Sequence, residues 1–124
     1  MRHLACGDHA TIPPHPLLRY TSIGYTLGVS IQSFARRSVQ EFFWTGVVSR
    51  REGWARAARI AKRKLDMLHY AKILADLSSP PGNRLEALRG NLAGKHSIRI
   101  NDQWRIVFRW TAAGPADVDV CDYH

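Results

Sequence analysis

The chain has 124 residues and a formal net charge of +8, and its length suits a single domain with one modest hydrophobic core. Hydrophobic residues make up 45% of it, as in ordinary globular proteins, and no apolar run approaches the roughly 20 residues of a membrane-spanning helix. The excess of Lys and Arg, 18 against 10 Asp and Glu, indicates a polyanionic partner, most simply nucleic acid. A basic surface that serves solubility alone is the alternative.

The cysteines and the first histidines give no sign of a metal centre or a disulfide framework. Cys6 and Cys121 lie near opposite ends of the chain and share no motif spacing, which fits a protein of the reducing cytoplasm. His3, His9 and His15 are irregularly spaced in a segment with several prolines. We therefore predict no metal site and no cofactor.

The first 28 residues differ from the rest of the sequence. They hold three of the six prolines and three of the six histidines and show no helical or alternating pattern. They contain no continuous apolar segment of the kind found in a secretory signal. We interpret residues 1–28 as a poorly ordered extension and residues 29–124 as the folded domain. Val29 is then a candidate initiator at a GTG codon, a hypothesis that N-terminal sequencing of the native protein tests.

Two helices are predicted after a short strand at 29–34, "VSIQSF". In the first helix Ser38 is the expected N-cap, with Glu41 at the capping-box spacing, and Gly46 is placed to end it. The second helix is expected over residues 51–75, before Pro80 and Pro81. Its core-facing stripe has steps of three and four residues and consists of Trp54, Ala58, Ala61, Leu65 and Leu68.

The remaining sequence alternates as β-strands do, in the runs "RLEAL", "HSIRI", "WRIVFRW" and "VDVCDYH". Residues 101–103, "NDQ", form the expected tight connection between the second and third of these runs. The predicted order is β–α–α–β–β–β–β. It describes an α+β domain in which two helices pack on one side of a mostly antiparallel sheet.

The run at 104–110 predicts a sheet with two different faces. One face carries Trp104, Ile106, Phe108 and Trp110 and is expected to pack against the helices, whereas the other carries Arg105, Val107 and Arg109. Arg99 from the neighbouring strand is expected beside these arginines. A cluster of guanidinium groups suits phosphate binding. The alternative is a solvent face on which Asp117 and Asp119 neutralise the arginines.

Several side chains near this face have the chemistry for RNA cleavage without a metal ion, which requires a base, an acid and a cation. These candidates are Glu86, Arg89, Lys95, His96, Asp122, Tyr123 and His124. Histidine titrates near neutral pH and is the natural proton carrier. The motifs of competing chemistries, such as a phosphate-binding glycine loop, HExxH or GxSxG, are absent from the sequence.

The segment "PPGNRLEALRGNLAGKHSIRINDQWRIVFRW", with "VDVCDYH" at the end and "SIQSF" near Val29, resembles the HigB group of the RelE/ParE toxin superfamily. The resemblance covers residues 29–124. It implies a RelE-like microbial RNase fold and a bacterial toxin that enters the ribosomal A site and cuts mRNA there. It also implies attack by the ribose 2′-oxygen without a metal, a 2′,3′-cyclic product and inhibition by a helix-turn-helix antitoxin of the HigA type.

The resemblance also assigns roles by position. Arg89 and Arg105 are expected to hold the phosphate, Asp122 and His124 to transfer or orient the proton, and Tyr123 to stack on a base or donate a hydrogen bond. Arg89 replaces a common lysine, and Glu86 stands where some members have a histidine, so Glu86 is either the base or an ion-pair partner. The expected RNA-binding residues are Arg99, Arg109, Lys95, His96, Arg56, Arg59, Lys62 and Arg63.

Two other functions stay open at this point. One is a poison of DNA gyrase, as in the ParE branch of the superfamily, which requires no catalysis by the terminal residues. The other is a non-catalytic RNA-binding module on the same fold. For the basic helix surface at 56–63, a solvated charged face is the alternative to contact with ribosomal RNA.

Overall fold

The computed structural model describes residues 4–6 and 29–123, which form two α-helices packed on one face of a five-stranded sheet. The helices are α1 (Arg37–Thr45) and α2 (Ala58–Tyr70). The strands are β1 (Leu4–Ala5), β2 (Glu86–Ala87), β3 (His96–Arg99), β4 (Trp104–Thr111) and β5 (Gly114–Tyr123). Short 3₁₀ turns lie at Gly53–Ala57, Leu74–Ser78, Pro81–Asn83 and Gly90–Leu92. The predicted α+β class is confirmed.

The sheet has the order β1-β5-β4-β3-β2, and every neighbouring pair is antiparallel. Ile106 of β4 lies between Ile98 of β3 and Val120 of β5. All three side chains are buried, because they lie on the face that meets the helices. The predicted strands at 96–100 and 104–110 and the turn between them are therefore confirmed.

Helix α1 begins without the predicted side-chain cap. Its first residue is Arg37 and its N-cap is Arg36, which makes no capping hydrogen bond with its side chain. Ser38 thus lies inside the helix, and the prediction of a capping box at Ser38 was wrong. The predicted end is confirmed, since Gly46 adopts a left-handed conformation (φ 77°) and its N–H donates to the carbonyl of Phe42 at 2.8 Å.

The predicted helix over residues 51–75 is divided into three parts. A 3₁₀ turn precedes α2, and α2 ends at Tyr70, where Ala71 is extended. The Asp76 carboxylate accepts hydrogen bonds from the backbone N–H groups of Lys72 (2.9 Å) and Ile73 (3.2 Å). These bonds begin a new turn at 74–78 instead of a continued helix. The spacing of hydrophobic residues does not indicate side-chain hydrogen bonds of this kind, so it did not predict the end of α2.

The predicted stripe forms the centre of the core. Trp54, Ala61, Leu65 and Leu68 are buried, and Ala58 packs against them at the boundary. The sheet contributes further buried side chains from its inner face, namely Ile98, Ile106, Phe108, Val118 and Val120. None of the helices in the described part of the chain is long and apolar enough to cross a membrane.

The segment at 30–35 runs parallel to β5 but is not a regular strand. It exchanges backbone hydrogen bonds with residues 113–118, and its single bridge joins Phe34 to Val118. The prediction of a strand at 29–34 was therefore correct in its extended conformation and wrong in its regular pairing. Because β4 occupies one side of β5, this segment covers part of the other side.

The structure corrects the expectation about the cysteines. Cys6 and Cys121 form a disulfide, with their Cα atoms 4.6 Å apart. Leu4 and Ala5 pair with Tyr123 and Asp122, and this register brings Cys6 opposite Cys121. The two residues are 115 positions apart, so no spacing in the sequence indicates their proximity. Residues 4–6 belong to the segment interpreted as an extension, whereas His3, His9 and His15 lie outside the described residues.

Candidate functional site

Arg105 lies at the centre of the candidate site, on the sheet face opposite the helices. The alternation of β4 separates it from its neighbour Ile106, which belongs to the core. Its Nε–H donates to the hydroxyl of Ser97 at 2.8 Å, and its Nη2 donates to the backbone carbonyl of Arg84 at 2.6 Å. Arg105 is only 3% exposed. The predicted face is correct, but this guanidinium is held inside the surface and does not extend into solvent.

Tyr123 completes the centre of the site from β5. The guanidinium carbon of Arg105 lies 5.3 Å from the centroid of the Tyr123 ring, a cation–aromatic contact. The backbone N–H of Tyr123 donates to the carbonyl of Gln103, which fixes the end of the strand. The predicted proximity of Tyr123 and Arg105 is thus present in the fold.

Burial and neighbouring charges act in opposite directions on Arg105. Burial lowers the pKa of Arg105, the charges of Glu86 and Tyr123 raise it, and those of Arg99 and Arg84 lower it again. An arginine side chain stays protonated near neutral pH in any of these surroundings. The site therefore contains a fixed positive charge with a carboxylate and a phenol beside it.

Glu86 reaches this face from the edge strand β2. It lies opposite Ser97 in the sheet register, and Ser97 is the residue that accepts the Nε–H bond of Arg105. Glu86 is exposed to solvent. An exposed carboxylate on the same face as a buried guanidinium has access to a bound polyanion and to solvent protons.

Two further arginines on this face have carboxylate partners. Arg99 lies opposite Arg105 in the register and bonds to Asp102 at 2.7 Å, and Arg109 bonds to Asp117 at 3.2 Å. Asp119 is bound by the Nε of Arg36, which lies outside the sheet, at 2.7 Å. Among the described ion pairs, the predicted neutralisation of a sheet arginine is that of Arg109 by Asp117.

Asp122 and Tyr123 leave the last strand on opposite sides. Asp122 lies opposite Trp104 in the register, and Trp104 packs at the border of the core. The Nε2 of Gln103 donates to the Asp122 carboxylate at 3.5 Å. The structure therefore does not bring Asp122 to the face of Arg105. His124, the third member of the predicted group, lies outside the described residues.

The connection between β2 and β3 carries three other predicted residues. Arg89 is exposed just before the turn at 90–92, and Lys95 is half-buried where β3 is about to begin. His96 stacks on Phe108, with ring centroids 6.2 Å apart and planes at 23°. Because Phe108 faces the core, the imidazole of His96 lies on the helix side of the sheet, away from Arg105.

The basic residues of the second helix region divide into two groups. Arg56, Arg59 and Arg63 are exposed. Lys62 pairs with Asp66 at 2.6 Å, and its ammonium lies 4.8 Å from the centroid of the Phe43 ring. The three arginines thus present charge to solvent, whereas Lys62 is engaged within the molecule.

One group of metal-ligating residue types lies together in the described part of the chain. Ligand atoms of Cys6, Asp119 and Cys121 are within 4.8 Å of one another. The two sulfurs are joined in the disulfide, and a disulfide offers no thiolate to a metal ion.

Sequence reasoning missed two groups that hold Arg105. The alternation of "HSIRI" places Ser97 on the same face as Arg99, and this signal was sufficient to find it. The carbonyl of Arg84 has no signal in the sequence, since any residue type carries one. Arg84 adopts a left-handed conformation (φ 47°), which sets the direction of the chain at this point.

Comparison with known proteins identifies the family of the chain. Residues 32–124 match the model of the HigB-like toxins, described as RelE-like toxins of type II toxin–antitoxin systems. The chain belongs to this family. Three quarters of the sequence lies in the match, including all the predicted site residues on the sheet.

Individual relatives of this HigB-like chain match over shorter stretches. The chain is 54% identical over 48 residues to "Toxin HigB-1" of Vibrio cholerae, covering 39% of this chain and 50% of that protein. It is 38% identical over 52 residues to an uncharacterised protein of Haemophilus influenzae, covering 42% and 52%. The chain thus spans about half the length of the curated relatives that it matches.

A solved structure, the YoeB–YefM complex from Staphylococcus aureus, matches with a TM-score of 0.46 and 19% identity. The match covers 79% of this chain and 99% of that one.

Proposed function

We propose that this protein is a toxin that cuts mRNA in the ribosomal A site, without a metal ion, and so arrests translation. The observation that carries the proposal is the fixed guanidinium of Arg105 beside the ring of Tyr123. A planar guanidinium matches the oxygens of a phosphate, and an aromatic ring suits stacking on an unpaired base. A single strand of RNA offers both groups.

The proposed reaction is a transesterification within the RNA. The ribose 2′-oxygen attacks the adjacent phosphorus, and the bond from phosphorus to the 5′-oxygen breaks as the new bond forms. A base takes the 2′-hydroxyl proton and an acid protonates the departing 5′-oxygen, giving a 2′,3′-cyclic phosphate and a 5′-hydroxyl end. Arg105, from its position beside Tyr123, and Arg89, from the exposed connection after β2, stabilise the charge that develops on the phosphate.

The proton carriers are assigned among Glu86, Asp122 and His124. Glu86 shares the face of Arg105 and is the preferred base, because a carboxylate beside the bound phosphate reaches the 2′-hydroxyl. Asp122 and His124 follow from the family pattern as the groups that orient and deliver the second proton. Asp122 lies on the other side of the strand from Arg105. In this proposal it therefore orients His124 and does not contact Arg105 directly.

The proposed partners of the protein are ribosomal RNA and an antitoxin. The exposed Arg56, Arg59 and Arg63 contact ribosomal RNA, as do Lys95, Arg99 and Arg109. Lys62, which pairs with Asp66, and His96, which stacks on Phe108, are not assigned to this contact. An antitoxin of the helix-turn-helix HigA type inhibits the toxin domain at 29–124. The protein works in the cytoplasm, where cellular thiols reduce the disulfide between Cys6 and Cys121.

The test is induction of the protein in bacteria, followed by mapping of transcript 5′ ends. New ends in phase with codons are expected for the natural sequence, and Arg105→Ala should reduce them by about 100-fold or more. Tyr123→Leu should reduce them as well, with less disturbance of the fold because the Tyr123 side chain is only half-buried. Arg37→Ala, which removes an exposed charge on α1, is the control and should cut normally. Intact mRNA together with loss of DNA supercoiling would instead identify a gyrase poison.

A further inference from the structure

Arg105 is held by a loop whose own support lies deeper in the molecule. The carbonyl of Arg84 that accepts the Nη2 bond directly follows the 3₁₀ turn Pro81–Asn83. Arg84 belongs to no strand, so the sheet does not fix the direction of this carbonyl. Its position depends on what holds the loop at 77–84 in place.

Asn83 supplies that support. It is completely buried, and its amide nitrogen donates to the carbonyls of Leu77 (3.1 Å) and Ser79 (3.3 Å). Its amide oxygen accepts a hydrogen bond from the ammonium of Lys64 on α2. One side chain thus ties both ends of the loop to each other and the loop to the helix.

The chemistry of this position is specific to an amide. Two carbonyls require two donors and an ammonium requires an acceptor, and only the amide of Asn or Gln offers two N–H donors and an acceptor from one planar group. Lys64 is 6% exposed, and burial lowers its pKa, as do the charges of Arg63 and Arg99. A buried ammonium without an acceptor is costly, so loss of the amide oxygen would also disturb α2 below the loop.

We propose that Asn83 is a positioning residue for Arg105, acting by fixing the carbonyl of Arg84. The inference rests on the proposed function, in which Arg105 holds the phosphate. Asn83 is completely buried, so it has no direct contact with RNA. Asn83 affects cleavage by fixing the direction in which the carbonyl of Arg84 points toward Arg105.

A double-mutant cycle between Asn83 and Arg105 separates positioning from general stability. Asn83→Ala should lower the cleavage rate on programmed ribosomes by about 10- to 100-fold, as a small displacement of a catalytic group does. Arg105→Lys removes the Nη2 donor, so adding Asn83→Ala to Arg105→Lys should lower the rate less than twofold further. Equal losses in both backgrounds would overturn the proposal, because they indicate a structural effect that does not involve Arg105.

Further variants in the same series test whether a loss of rate comes from a folding defect. Asn91→Ala removes an exposed asparagine and should leave the rate unchanged. All assays are performed well below the melting temperature of each variant. Asn83→Gln keeps both the donor and the acceptor, so partial recovery of the rate relative to Asn83→Ala is expected, and Asn83→Asp, which lacks the donors, should not recover it.

A readout without cleavage distinguishes this proposal from the function itself. In ¹⁵N NMR spectra the Nη groups of Arg105 should give separate signals in the natural sequence, because one of them is bonded, and averaged signals in Asn83→Ala. If the natural protein cuts no RNA but the signals change in this way, the proposed function fails and the positioning stands. If cleavage is normal and the signals are unchanged in Asn83→Ala, the positioning is wrong.

Discussion

Arg105 differs from every other arginine of the described sheet in how its charge is accommodated. A buried guanidinium loses the hydration of a surface group and requires compensating hydrogen bonds. The Ser97 hydroxyl, the Arg84 carbonyl and the face of the Tyr123 ring supply that compensation. Arg99 and Arg109 bind single carboxylates at the surface, where such pairs contribute little to stability. In the proposed function, this preorganised charge at Arg105 is the group that binds the phosphate.

A second residue-level feature is the histidine of α2. His69 lies among Phe43, Trp44 and Tyr70, with ring centroids 5.2, 6.4 and 5.0 Å away, and its Nδ1 accepts the N–H of Ile31 at 3.4 Å. Burial lowers the pKa of His69, Asp66 raises it and Lys62 lowers it, with burial the largest cause. The folded protein thus favours the neutral imidazole.

This arrangement predicts lower stability in mild acid. The unfolded chain binds a proton at His69 near its ordinary pKa of about 6.5, whereas the folded chain binds it only at lower pH. The contribution of His69 is therefore complete above about pH 7 and is lost as the pH falls below about 6.5. Melting temperatures measured from pH 7.5 to 5.5 should fall more steeply for the natural sequence than for His69→Asn, whose amide oxygen keeps an acceptor near Ile31. Parallel curves would contradict the prediction.

At the scale of elements, β5 organises the molecule. β4 pairs along one side of it, while the segment at 30–35 and then β1 cover the other side. The strand that carries Tyr123 is thus enclosed on both sides along most of its length. This enclosure holds β5 in the sheet as far as Tyr123.

Gly114 is the point at which the segment at 30–35 reaches β5, and it tolerates no side chain. Its φ is +123°, and a Cβ atom there would lie 2.1 Å from the carbonyl oxygen of Ser30. Gly114→Ala should therefore lower the free energy of unfolding by about 2–4 kcal/mol, measured by urea denaturation. Gly82→Ala, with no atom within 4 Å of the new carbon, is the matched control and should change it by about 1 kcal/mol at most. Similar losses in the two variants would show that the contact with Ser30 is unimportant.

The disulfide holds β1, a strand of only two residues, against β5. β1 makes two residue pairs with β5, which alone would hold it weakly. The bond between Cys6 and Cys121 closes a long loop in the unfolded chain and should stabilise the folded state by about 2–4 kcal/mol.

Reduction should accordingly lower the melting temperature by about 10 °C. The measurement compares the protein with and without tris(2-carboxyethyl)phosphine, and Cys6→Ser should melt at the lower temperature under both conditions. Two reactive thiols in unreduced, denatured protein would show that the bond does not form.

At the scale of the whole molecule, a charge of +8 predicts salt-dependent binding to RNA. Arg56 and Arg59 are exposed on one helical surface, and each phosphate contact contributes about 0.7 to the slope of log affinity against log salt for single strands. The double variant Arg56→Gln/Arg59→Gln should lower that slope by about 1.4 for a short single-stranded RNA.

The control for this prediction removes the same charge elsewhere. Arg37→Gln/Lys72→Gln neutralises two exposed cations, one on α1 and one after α2, so the net charge of the two double variants is identical. Only the first should lower the slope by about 1.4. Equal losses would mean that the overall charge, and not the surface at 56–59, determines binding.

Local patterns were sufficient for much of the fold and for part of the site. The stripe from Trp54 to Leu68 and the alternation from Trp104 to Trp110 express burial on one face, which depends only on neighbours in sequence. They predicted the α+β class, the core and the face of Arg105. The same patterns failed at Ser38, since α1 begins one residue earlier without a side-chain cap, and at the end of α2, where hydrogen bonds to Asp76 and not periodicity determine the boundary.

Patterns among neighbouring residues thus predicted the class of fold and the two faces of the sheet, and the motifs predicted the toxin family. Only the folded chain shows that Cys6 meets Cys121 and that Arg84 and Asn83 support Arg105. The physical reason is the range of the interactions. Periodicity is read from neighbouring residues, whereas a disulfide across 115 positions or a backbone carbonyl aimed at one guanidinium exists only after the chain has folded.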